Sequence, residues 1–171
     1  MATLILPCGI SGSGKSRLYD TFISKDTVLV CPDDIRREVN GNISDQRNGK
    51  KIFEIAYKRI IEALKNNKDV YFSATNLIAS NTIDLLKMIN NILPNRAIKV
   101  LFYVISDSFN PELCYERIVS DLSNNVDRSD VPKDVIMKQF QRFKSIVDNL
   151  ENGNLKDFLE KSNIQYTIEY V

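Results

Sequence analysis

Residues 9–16 read GISGSGKS and stand directly behind the apolar run LILPC. No other stretch of this chain restricts its fold as much. The pattern G-x-x-x-x-G-K-[ST] works as the turn between a strand and a helix, where successive backbone N–H groups point into one concavity and the new helix aims its N-terminal dipole at the same place. Gly9, Gly12 and Gly14 supply the unusual dihedrals and the close backbone approach, with Ser11 and Ser13 between them. Lys15 is placed to reach the β and γ oxygens of a bound triphosphate, and the Ser16 hydroxyl suits Mg²⁺. The expected ligands are therefore ATP, or another nucleoside triphosphate, and Mg²⁺. A glycine turn that merely joins strand to helix is the plain alternative, and the complete pattern in this position disfavours it. The loop leaves open what receives the phosphate, since such a site can drive a motion, gate a switch or transfer its γ-phosphoryl group.

The rest of the chain continues the strand–helix alternation. The runs TLILPC, TVLVC, DVYFSA, AIKVLFYVI and IQYTIEYV read as strands, separated by helical patterns over about 15–24, 33–40, 47–66, 80–93, 111–122, 132–150 and 154–162. This predicts an α/β fold with a parallel central sheet of about five strands flanked by helices. Strand two is expected near strand one. Ile52, Ala56, Ile60 and Leu64 form one apolar stripe, and Ile136, Phe140, Phe143, Val147 and Leu150 form another, both expected to face the core. With 171 residues and 43% hydrophobic side chains the chain is expected to form one domain over 1–171. Lys and Arg total 23 against 22 Asp and Glu, so a polyanion must be held by a local patch and not by a global field. Cys8, Cys31 and Cys114 have no paired spacing and no histidine beside them, which argues against disulfides and zinc and fits a reducing, cytoplasmic setting. No run approaches 18 apolar residues and no basic segment precedes LILPC, so neither a membrane partner nor a cleaved signal is expected.

Two further segments carry chemistry. CPDDIRREV follows strand two, which puts Asp33 and Asp34 at the carboxyl edge of the sheet, with Arg36 and Arg37 one turn along the next helix. An aspartate there can accept the proton of an attacking hydroxyl while an arginine holds an anionic group of the acceptor. The ordinary alternative is an aspartate N-cap with solvated charges behind it. The tip of strand three reads Ser73-Ala74-Thr75-Asn76 and lacks the carboxylate that often steadies the metal, so Asp33 or Asp34 is the obvious lender. Residues 115–135 join two helices through a polar loop that holds Arg128, with Arg117 before it. A helix–loop–helix lid over about 111–150 is expected to bring Arg128 onto the transferring phosphoryl group. Basic residues in 47–51 either line an acceptor groove or solvate a helix start. Without tryptophan, and with aromatics mostly on the core stripes, extended base stacking along a single strand is not expected.

Taken in order, GISGSGKS, CPDDIRREV, FSATN and DRSDVP resemble the kinase domain of the phage and bacterial 5′-hydroxyl polynucleotide kinases, over about residues 3–150. The resemblance implies a P-loop kinase fold with a helical lid. It implies that Asp33 acts as general base on a 5′-OH, Arg36 grips the phosphate next to it, Thr75 and Asn76 belong to the acceptor site, and Arg128 is the lid arginine. Ala74 and Asn124 depart from the family pattern, which has an acid and a second lid arginine there. The family often carries a phosphatase or ligase domain in the same chain, and here a stand-alone kinase is expected. The implied partner is a nucleic acid 5′-OH end. The other readings are a kinase of a different hydroxyl, on a modified base in phage DNA or a small metabolite, and a nucleotide-binding switch without transfer.

Overall fold

The computed structural model describes residues 1–22 and 26–171. Five strands, β1 (Ala2–Cys8), β2 (Val28–Val30), β3 (Val70–Phe72), β4 (Ile98–Val104) and β5 (Gln165–Tyr170), form one fully parallel sheet in the order β2-β3-β1-β4-β5. The helices are α1 (Lys15–Phe22), α2 (Pro32–Asn40), α3 (Gly49–Lys65), α4 (Ala79–Ile92), α5 (Pro111–Ser123), α6 (Lys133–Asn152) and α7 (Asn154–Lys161). A single 3-10 turn, Ser106–Phe109, leads from β4 into α5. The α/β expectation and the number of strands agree with this architecture. The last positions of the first expected helix, 23 and 24, lie outside the described residues.

One expectation about the sheet is corrected. β3, and not β2, pairs with β1, as Leu4 lies opposite Val70 and Ile5 opposite Tyr71. β2 is therefore an edge strand, opposite β5, and pairs only with β3. Burial explains the order: β3 is buried at all three positions, whereas Leu29 of β2 is 39% exposed, and a fully apolar strand belongs in the middle of a sheet covered on both faces.

Side-chain alternation along β1 divides the interior. Leu4, Leu6 and Cys8 join the larger cluster with Phe72, Phe102, Ile60, Leu64, Ile118 and Phe143, while Ile5 joins Tyr71 and Tyr103 beneath Leu18 and Tyr19 of α1. The α3 stripe is wholly buried. On α6, Ile136, Phe143 and Leu150 are buried as expected, Ile146 adds to them, and Phe140 and Val147 are half-buried. All five parallel strands present their carboxyl ends to one edge, and it is there that the loops bearing the candidate residues gather.

Candidate active site

The phosphate loop is held on every side. The Gly9 N–H donates to the Thr75 carbonyl at the tip of β3 (3.1 Å), the Ile10 N–H to Ser108 Oγ (3.1 Å) and the Ser11 N–H to Gln139 Oε1 on α6 (2.8 Å). Gly12 (φ 80°) and Gly14 (φ 105°) occupy the left-handed region. Gly12 is constrained twice, because a Cβ at that position would stand 2.3 Å from the Cys114 carbonyl oxygen on α5. Arg117 of α5 ties the same contact down, donating to the Gly12 carbonyl (3.3 Å) and to Asp107 (2.8 Å). Its place is under the loop, as a brace.

Lys15 opens α1, and its ammonium donates back to the carbonyls of Gly9 (3.2 Å) and Ile10 (2.9 Å). Burial pushes its pKa down to about 8, opposed by the nearby Asp33 carboxylate and reinforced by Arg128. Ser13 Oγ is buried with no hydrogen-bond partner, an orphan that an oxygen-rich ligand suits. Positive-φ glycines, an orphaned hydroxyl and a half-buried ammonium at a helix N-terminus together fit a triphosphate.

α2 begins with Pro32, and the extended Cys31 takes the N-cap position without a side-chain cap, so neither Asp33 nor Asp34 caps the helix. Instead each pairs with an arginine three residues on: Asp33 with Arg36 through Oδ1, and Asp34 with Arg37 at 3.2 Å. The two pairs differ in setting. Ile35 pins the helix in the core at 1% exposure, and Arg36 is only 14% exposed, with its Nε buried and unpartnered. Arg37 points to solvent and reaches Asp127 of the α5–α6 loop at 2.6 Å.

One cleft of about 700 Å³ joins these parts, lined by Ser11, Lys15, Ser16, Asp33, Arg36 and Thr75, among others. Asn76 also lines it, at φ 52°, but its amide nitrogen donates to the carbonyls of Pro7 (2.8 Å), Phe72 and Ala74 (both 3.1 Å). It thereby staples the tip of β3 to β1. Arg128 is anchored by Asp121 of α5 at 2.6 Å, and its Nε is buried without a partner. Ser44 Oγ accepts from the Asp130 N–H (3.3 Å), which further docks this loop against the chain after α2. Arg47 of the basic 47–51 segment is paired to Asp45 and is 80% exposed.

Gln139 and Arg142, which line the cleft from α6, escaped the sequence reading. Their only signal is a polar pair three residues apart beside the apolar stripe. Among the described residues no group of three or more His, Cys, Asp or Glu side chains is gathered to hold a metal, and Ser16 lines the cleft beside Lys15. No described helix is long and apolar enough to cross a membrane.

No curated protein matches the sequence. Solved structures of similar fold include the Pnkp1/Rnl/Hen1 RNA repair complex, at 21% identity and TM-score 0.65, covering 86% of this chain and 46% of that one. This chain thus spans less than half the length of that protein. A candidate kinase from Chloroflexus aurantiacus matches at 12% identity and TM-score 0.63 (99% of this chain, 88% of that one). A chain of the PezAT toxin–antitoxin system of Streptococcus pneumoniae matches at 16% identity and TM-score 0.59 (99% and 68%). At these identities the likeness is one of fold. The sequence itself goes further: residues 4–146 match the AAA domain model AAA_33, and the chain belongs to that family of P-loop kinase domains.

Proposed function

We propose that the protein transfers the γ-phosphoryl group of ATP to the 5′-hydroxyl end of a DNA or RNA strand. The observation that carries this reading is the Asp33–Arg36 pair on α2, which opens onto the same cleft as Lys15. A nucleotide switch has no use for a carboxylate and a sheltered arginine aimed into a second compartment. The membership of one fold neighbour in an RNA repair complex agrees with a nucleic acid acceptor.

In this mechanism Arg36 holds the phosphate adjacent to the reacting hydroxyl and keeps Asp33 oriented through Oδ1. The other carboxylate oxygen of Asp33 accepts the hydroxyl proton as the acceptor oxygen bonds to the γ-phosphorus and the β–γ bridging oxygen departs with ADP. Lys15 and Arg128 neutralise the charge that spreads over the phosphoryl oxygens. Thr75 lines the acceptor side, and Asn76 keeps the strand tips in register. Mg²⁺, held by Ser16 and phosphate oxygens, supplies charge neutralisation on the β and γ oxygens when bound.

The test is transfer of label from γ-labelled ATP with Mg²⁺ to 5′-OH oligonucleotides, modified-base duplexes and small alcohols. Label on the oligonucleotide ends is expected, and Arg36→Ala is expected to harm acceptors that carry the adjacent phosphate far more than nucleosides that lack it. Label on the small alcohols alone overturns the nucleic acid acceptor.

A further inference from the structure

The cleft that Asp33 and Arg36 line is also lined by residues of α3, β3 and α4. There Phe53, Tyr57, Phe72 and Leu85 form a recess between these elements. The three rings form a mutual edge-to-face cluster, with centroids 6.2–6.4 Å apart. Phe72 and Leu85 are buried, whereas Phe53 and Tyr57, one turn apart on α3, are half-buried. The Tyr57 hydroxyl makes no hydrogen bond among the described residues, and Thr82, 6% exposed, also lines the cleft. The recess is thus mainly apolar and aromatic, with Tyr57, Thr82, Ser73 and Asn81 as the polar side chains that line the cleft from α3, α4 and the β3 tip.

The phosphate-loop side of the cleft bears on which ligand the recess serves. Ser11, Lys15 and Ser16 line the cleft, and Gly12, Ser13 and Gly14 do not. Lysine and serine meet the γ end of a triphosphate, while the middle of the loop cradles the phosphates nearer the nucleoside. The cleft therefore meets the γ end of a bound triphosphate, the side from which an acceptor has to approach.

We infer that the recess of Phe53, Tyr57 and Phe72 binds the base of the acceptor's terminal nucleotide. This rests on the proposed function. One cleft gathers the phosphate loop, Asp33 with Arg36 and the aromatic recess, matching an acceptor that presents its hydroxyl to Asp33, its adjacent phosphate to Arg36 and its planar ring to the rings of α3 and β3. A polyol brings many hydroxyls, whereas Phe53, Tyr57, Phe72 and Leu85 present mostly carbon, with Tyr57, Ser73, Asn81 and Thr82 the polar side chains beside them. A base at a paired end must leave its stack to enter, so unpaired ends are favoured over blunt ones.

The test compares 5′-OH oligonucleotides that are identical except for a terminal nucleotide with a base or without one, as single strands and as blunt duplexes. Stacking on an aromatic wall makes kcat/KM about tenfold or more higher for the base-bearing single strand than for the abasic one. Tyr57→Leu and Phe53→Leu, checked for folding by thermal unfolding, shrink that ratio toward one, and Tyr57→Phe alters discrimination among bases. Should the leucine variants not fold, the wild-type ratio alone decides. Equal use of the two ends by the wild-type protein overturns the inference and leaves the proposed function standing. A raised KM for ATP in the leucine variants, with the acceptor ratio intact, overturns it by giving the recess to the donor. Label on neither end overturns the proposed function, and the inference falls with it.

Discussion

The two walls of the cleft are built differently. The phosphate loop is eight consecutive residues fixed by a backbone hydrogen bond to Thr75 just beyond β3, by Ser108 and Gln139, and by a close backbone contact with α5 that only glycine permits. The opposite wall, α2 and the chain after it, is joined to the α5–α6 loop at the surface: Arg37 pairs with Asp127 at 45% and 72% exposure, and the Asp130 N–H donates to Ser44 Oγ. Exposed pairs contribute little and break easily, so this wall opens at lower cost than the phosphate loop, as the proposed entry of an acceptor requires. Rigidity sits where charge must be met at fixed points, and looseness where a substrate has to enter.

The comparison breaks first at Lys15. Lys15→Ala is expected to lower kcat by roughly 10² to 10³, the scale for removing one preorganised electrostatic contact. Because burial disfavours the charged lysine in the folded protein, its melting temperature should hold or rise. A drop in melting temperature would make Lys15 a structural residue instead. Next, Gly12→Ala puts a Cβ against the Cys114 carbonyl and forces a left-handed backbone, costing about 1–3 kcal/mol in denaturant unfolding. A neutral result would mean that α5 is not packed on the loop.

The pH dependence of ATP binding is a smaller effect with a definite sign. With the Lys15 pKa at about 8 in the free protein, the ammonium is present below that pH and binding needs no proton there. Above it, binding takes up a proton, and affinity should fall by up to about tenfold per pH unit. Lys15→Arg, charged throughout, should flatten the curve. Titration calorimetry in buffers of different ionisation heat reads this directly. Least of all, Arg37→Ala should cost only about 0.2–1 kcal/mol in stability. A larger loss would show that the outer wall is as firmly built as the loop.

What could be read from the sequence follows the same divide. The phosphate loop was legible because its chemistry is contiguous, and Asp33 with Arg36 because a three-residue spacing on one helix brings them together. The strand order was not, since burial of β3 inserts it between β1 and β2, and hydrophobic runs carry no rank within a sheet. Asn76 read as an acceptor contact, yet its amide is committed to three backbone carbonyls that only the folded strand tips bring together. Gln139 meets Ser11 across 128 positions of sequence, a distance at which no local pattern operates. Phe53 and Tyr57 flank the buried stripe of α3 and read as more core, while the fold opens a recess beside them.

The account turns on Asp33 as the base, and the most direct measurement is kcat at saturating Mg²⁺ for Asp33→Asn and Asp34→Asn on a 5′-OH oligonucleotide. Asp33→Asn is expected to lose about 10² to 10⁴ in kcat with ATP affinity nearly unchanged, and Asp34→Asn, whose partner Arg37 faces solvent, to stay close to the unmodified protein. Near-normal kcat in Asp33→Asn, or collapse in Asp34→Asn alone, would contradict it.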